Sequence, residues 1–265
     1  MNRKLILAAI MVSIISLLGS PLFSQSLKGL SLGGTTGLIT TPTGRIGWEK
    51  SSDLGLDLGY HFSSDRGFGE NENLINVAVS MFRKLEAGLT FDSQSGDDAS
   101  DLILFSKFQI FNDGQSGMAV GANLQLLDFS SAITDRTYSQ IYLASTYSGN
   151  FMEIPASTTI VFGKTFDIED GLNDRIDFSM GFDMALFPQV FNGYVRWISE
   201  FANYSYSADS RITNANARGA FNTGLRIDIL GGSAYKLVID ATLMDVFDEG
   251  IDKFAIGGSF GFSLR

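Results

Sequence analysis

Phe254, Ile256, Gly258, Phe260, Phe262 and Leu264 occupy every second position of the last stretch of the chain, with Ala255, Gly257, Ser259, Gly261 and Ser263 between them. Side chains alternate across a β-strand, so this period sends large apolar groups to one face and small or polar ones to the other. The pattern recurs about a dozen times, which predicts a transmembrane antiparallel β-barrel of about 12 strands with lipid outside and a polar lumen inside. The fold class expected is therefore all-β.

Several segments carry the alternation cleanly. Leu54, Leu56, Leu58, Tyr60 and Phe62 oppose Asp53, Gly55, Asp57, Gly59 and His61. Ile75, Val77, Val79 and Met81 oppose Asn76, Ala78 and Ser80, and Ile176, Phe178, Met180, Phe182, Met184 and Leu186 oppose Asp177, Ser179, Gly181 and Asp183. Segments 102–111, 138–147, 157–165 and 194–201 are blurred, with apolar residues in both registers.

Connector lengths give an independent reading. Barrels of this kind alternate short periplasmic turns with long outer loops. Short links fall near 83–84, 112–116, 188–192 and 231–234, and long polar ones near 63–72, 92–101, 128–136, 167–174, 203–217 and 245–252. The link at 149–155 is longer than the rule wants. An even strand number leaves both termini in the periplasm. The competing architecture is a soluble secreted β protein, which has no need of this rhythm.

The N-terminus carries Arg3 and Lys4, then an uncharged run from Leu5 to Leu18, with Ser20 and Ser24 beyond it. Residues 1–24 are expected to be a signal peptide, too short in its apolar core to span a membrane comfortably. The expected location is the outer membrane of a diderm bacterium, with outer-membrane lipid as the surrounding partner. Cysteine is absent, which excludes disulfides, thiolate ligands and a cysteine nucleophile. Net charge is −10, and removal of two basic residues with the leader makes the remainder more acidic still. Nucleic acid is excluded as a partner, because phosphate binding needs a basic surplus.

Residues 25–50 precede the alternating region (51–265) and read differently. Gly33, Gly34, Thr35, Thr36 and Gly37 cluster, followed by Thr41-Pro42-Thr43, Arg45 and Gly47. Glycine and threonine in this density suit a chain packed closely against other backbone. The segment is expected to plug or brace the periplasmic mouth, or to add one more strand. With the strand that follows, Gly37, Thr41, Pro42, Thr43 and Arg45 resemble the opening signature of the YjbH family of outer-membrane proteins, most closely over residues 33–62. A weaker likeness lies in the aliphatic strand ending at Asp245. The resemblance implies an accessory or conduit role in exopolysaccharide export, with polysaccharide or export components as partners. The final strand resembles the strand that the outer-membrane assembly machinery recognises, except that it ends in Leu264 and Arg265 rather than in an aromatic residue.

Candidate chemistry is sparse. His61 is the one histidine, near Ser63, Ser64 and Asp65, and matches no esterase motif. Acidic groups gather at Asp92, Asp97, Asp98 and Asp101, at Asp167, Glu169, Asp170 and Asp174, and at Asp245, Asp248, Glu249 and Asp252. Their spacing does not follow a calcium loop. No enzymatic activity, cofactor or metal is expected. The inferred lumen face mixes signs: Asp57, Glu86, Asp177, Asp183, Glu200, Asp228 and Asp240 with Lys107, Arg196, Arg226 and Lys236. Buried charges need partners, so these form salt-bridge ladders in a closed lumen or line water in a small, mildly cation-preferring pore. The alternatives to export are accordingly a small porin-like diffusion channel and a closed structural or adhesive barrel.

Overall fold

Twelve antiparallel strands close on themselves. The structure, a computed structural model, describes residues 29–49, 53–66, 70–95, 100–127, 136–167, 171–172, 176–202, 219–231 and 234–264. The leader expected at 1–24 lies outside them, as do Asp97, Asp98, Glu169, Asp170 and Asp174.

The strands are β1 (Leu54–Asp65), β2 (Glu70–Met81), β3 (Leu85–Gln94), β4 (Ser100–Asn112), β5 (Ser116–Leu127), β6 (Arg136–Phe151), β7 (Ile154–Asp167), β8 (Asp177–Ala185), β9 (Val195–Ala202), β10 (Ala220–Gly231), β11 (Tyr235–Leu243) and β12 (Lys253–Leu264). Each pairs with its neighbours in sequence, and a two-residue strand at Gly171–Leu172 pairs antiparallel with the end of β7. Closure is complete from end to end: β1 pairs with β12 in continuous register from Leu54↔Leu264 to Asp65↔Lys253. An open edge in hydrocarbon would cost several kcal/mol for each unpaired backbone group, so this seam is what makes the sheet stable there.

The alternation sorts residues as the pleat requires. Leu58, Tyr60, Ile75, Phe108, Val120, Ile141 and Phe162 are exposed on the outside and form an apolar belt facing lipid. Asp57, Asn76, Glu86, Lys107 and Gln140 are buried on the inside. Connections at one rim are two or three residues long except at 186–194, and those at the other run from four residues at 66–69 upward. The link at 149–155 is tighter than its sequence suggests, because β6 and β7 continue to Phe151 and Ile154 and leave only Met152 and Glu153 between them. Both adopt positive φ, 47° and 69°. A four-residue helix, α1 (Pro188–Phe191), sits in the connection from β8 to β9, which spans 186–194 and is longer than the short link expected at 188–192.

Residues 29–49 belong to no barrel strand. They fold back on themselves through the isolated bridges Leu30↔Thr36 and Gly37↔Pro42. All are buried apart from the half-buried Gly47. Gly34 sits at φ 89°, a conformation open to glycine at low cost. A side chain at Gly37 would lie 2.5 Å from the Thr41 carbonyl oxygen, so the fold-back also needs glycine there.

Candidate functional site: the occupied lumen

The lumen wall grips this internal segment from several sides. On β3, Glu86 accepts hydrogen bonds from Thr36 N–H (2.7 Å), Thr36 Oγ1 (2.6 Å) and Gly47 N–H (3.0 Å). On β9, Glu200 accepts from the N–H groups of Ile39 (3.1 Å), Thr40 (2.8 Å) and Thr41 (3.1 Å), and from Thr40 Oγ1 (2.6 Å). Three successive backbone N–H groups turned toward one carboxylate form an anion-holding concavity.

Cations supply the complementary contacts to plug carbonyls. Lys107 donates to the Thr36 carbonyl (2.8 Å) and pairs with Glu86 (3.2 Å). Arg226 donates to the carbonyls of Gly37 (2.6 Å) and Leu38 (3.1 Å) while holding both oxygens of Asp240. Lys236 pairs with Asp57 at 2.9 Å and lies 4.9 Å from the centre of the Trp48 ring. Trp48 Nε1 donates to Asp57 as well (3.0 Å). At the short-turn rim, Arg45 donates to Asn112 Oδ1 and to the carbonyls of Gly114 and Gln115, which fixes that end of the segment.

Apolar contacts run between these anchors. Leu32, Leu38 and Ile39 pack with Leu74, Ile198, Met244 and Ala255 of the wall, and Leu30 packs with Ala78 and Phe105. Wall glycines make room: a Cβ at Gly181 would strike Leu38, and one at Gly55 would strike the Trp48 ring. The segment thus reaches from the short-turn rim past the middle of the barrel.

All eleven charged residues inferred for the lumen face are buried. Six of them meet in three pairs that also touch the segment or Trp48: Glu86 with Lys107, Asp57 with Lys236, and Asp240 with Arg226. Arg196 pairs with Asp183, and Asp177 is held by Thr165 Oγ1 (2.5 Å) and Gln140 Nε2 (3.0 Å). Asp228 also faces inward, next to a register shift in the β10–β11 pairing. The residues of the N-terminal signature all lie in the internal segment: Gly37 and Thr41 as above, Pro42 bridging Gly37, Thr43 donating to the Thr36 carbonyl, and Arg45 at the rim.

Sequence reasoning named these wall charges without their partners. Thr36 was noted in the glycine–threonine cluster without its role as an anchor, and Thr40, Glu49 beside Arg45, and the Asn76–Leu32 contact were missed. The density of threonines next to glycines was the available signal. His61 Nδ1 lies 3.0 Å from Asn76 Oδ1, and its Nε2 is 4.0 Å from Asp240. Asp92 and Asp101 sit opposite each other across β3 and β4, both buried. Among the described residues no group of three or more His, Cys, Asp or Glu is placed to hold a metal ion.

No family model matches the chain, and no curated protein matches it. Solved structures do. The NanC porin is similar over 79% of this chain and 100% of its own, at 12% identity and a TM-score of 0.51. This chain has the fold of an outer-membrane β-barrel. The KdgM porin, solved in complex with disordered oligogalacturonate, aligns over 80% of this chain and 99% of its own at 7% identity and a TM-score of 0.49. Omp33 of Acinetobacter baumannii aligns over 80% and 98%, at 7% identity and a TM-score of 0.40. At such identities the likeness is one of fold.

Proposed function

We propose that this protein is a porin-like barrel for small solutes, closed at rest by its own residues 29–49. The observation that carries the reading is the grip of Glu86 and Glu200, from opposite walls, on backbone N–H groups of one internal segment. A segment so held excludes water from the axis of the barrel. Its anchors are hydrogen bonds and apolar contacts rather than covalent links, and the wall strands pair with one another independently of it. The role is passage, and no catalytic step is assigned.

This reading takes up the channel alternative in preference to exopolysaccharide export. Solved barrels of similar fold include porins, which supports the channel reading. The test is swelling of liposomes that contain the protein, with arabinose as the permeant. The intact chain should leave swelling near the lipid-only rate. Gly44→Leu, whose new side chain would collide with the Gly117 carbonyl of the wall, should raise it several-fold. Rapid swelling with the intact chain would overturn the closed state. No swelling with a folded variant would overturn the channel.

A further inference from the structure

We infer that the lumen selects cations once the segment leaves, and that Glu200 is the carboxylate that sets this preference. The inference rests on the plugged-channel reading above and names the solute class of that channel.

The wall bases are already matched. Lys107 keeps Glu86, Lys236 keeps Asp57, Arg226 keeps Asp240 and Arg196 keeps Asp183, whether or not the segment is present, because both members of each pair belong to the wall. Each pair is neutral to a passing ion at a distance.

Glu200 is different. Among the described residues its hydrogen-bond partners are neutral: three N–H groups and one hydroxyl from the segment, and Asn222 Nδ2 at 2.8 Å from the wall. Departure of residues 29–49 removes four of these five donors and supplies no cation. A carboxylate then stands on the inner wall with one amide for company. Asp177 adds a second wall carboxylate, held among the described residues by the neutral Thr165 and Gln140. Acidic groups facing a narrow aqueous path between low-dielectric walls concentrate cations and repel anions. In the closed state the concavity of N–H groups at Ile39, Thr40 and Thr41 takes the place a permeating cation would occupy beside Glu200. The segment is therefore a resident competitor for the carboxylate that selects the solute.

The test is the zero-current potential across a planar bilayer with a KCl gradient, recorded on the full chain opened by Gly44→Leu. The expected result is displacement toward the potassium equilibrium potential, reduced at least about twofold when Glu200→Gln is added while the conductance persists. Displacement toward the chloride potential, or a potential unmoved by Glu200→Gln, overturns the inference and leaves the channel intact. If Gly44→Leu does not fold, Thr36→Ala with Thr40→Ala, which trims the segment and spares the wall, is read in the same way. A folded, opened-design chain that passes no current under either scheme refutes the channel reading itself, and this inference with it.

Discussion

Glu86 and Glu200 project into the lumen from β3 and β9, strands half a circuit apart in the twelve-strand barrel, and both carboxylates receive N–H groups from the same internal segment. Their surroundings differ in one respect. Glu86 has an ammonium beside it, from Lys107, whereas Glu200 has neutral donors alone among the described residues.

That difference predicts costly truncations that arise by different routes. Glu86→Ala leaves the Lys107 ammonium, fully buried, without its anion, and breaking such a pair costs about 3–5 kcal/mol. Glu200→Ala strands neutral N–H groups, each worth about 1–3 kcal/mol when buried without an acceptor. Both variants should lose folded gel mobility at lower temperature than the parent. Adding Lys107→Met should recover part of the Glu86→Ala loss, and no recovery would show that the ammonium is not stranded.

Trp48 should report directly on the segment. It is buried against Gly55 and Lys236, whereas Trp197 is 38% exposed on the outer face. In a Trp197→Phe chain the remaining emission should be blue-shifted and resistant to iodide. Gly44→Leu should make it accessible to the quencher. Trp48→Ala should cost about 3–5 kcal/mol, since it empties a packed site and removes a donor to Asp57.

The β6–β7 turn carries avoidable strain. Met152 and Glu153 both sit at positive φ, where Asn-Gly is the favoured pair for a two-residue hairpin. Replacing Met152-Glu153 by Asn-Gly should stabilise the barrel by about 1 kcal/mol, read as a higher heat-modification temperature. A decrease would mean that the exposed methionine has a contact to lose.

Asp113, in the β4–β5 turn beyond the spanning strands, should titrate below an ordinary aspartate. Hydrogen bonds from the Ser116 and Gln115 N–H groups stabilise its charged form. A lowered folded value means the carboxylate supports the turn above the unfolded pKa and ceases to do so as pH falls through the folded one. Carboxyl NMR on the native chain reads that value directly, and a midpoint at or above the ordinary one would contradict the geometry.

The barrel was legible because lipid and lumen impose opposite chemistry on alternate residues, as along Leu54–Phe62. On two of the four blurred stretches, β4 and β9, the internal segment is the reason, whereas on β6 and β7 the inward Tyr142, Ala144 and Val161 pack on one another. Ile103 and Phe105 on β4, and Ile198 on β9, are apolar yet face inward; Phe105 packs on Leu30, and Ile198 joins Leu38 and Ile39. A lumen partly filled by apolar chain admits apolar wall residues and erases the local contrast. On β4 a register shift between Gln109 and Phe111 also turns Ile110 and Phe111 both outward. The partners of Glu86 and Glu200 were not legible, since backbone N–H groups carry no sequence signal and lie 50 and about 160 positions away in the chain.

The central claim is that residues 29–49 close the lumen, and conductance in planar bilayers tests it most directly. The intact chain, shown to be folded by heat-modifiable mobility, should stay silent, and Gly44→Leu should give stepwise ion current in the same lipid. Equal currents from both chains, or silence from a folded variant whose Trp48 has become accessible to iodide, would contradict the account.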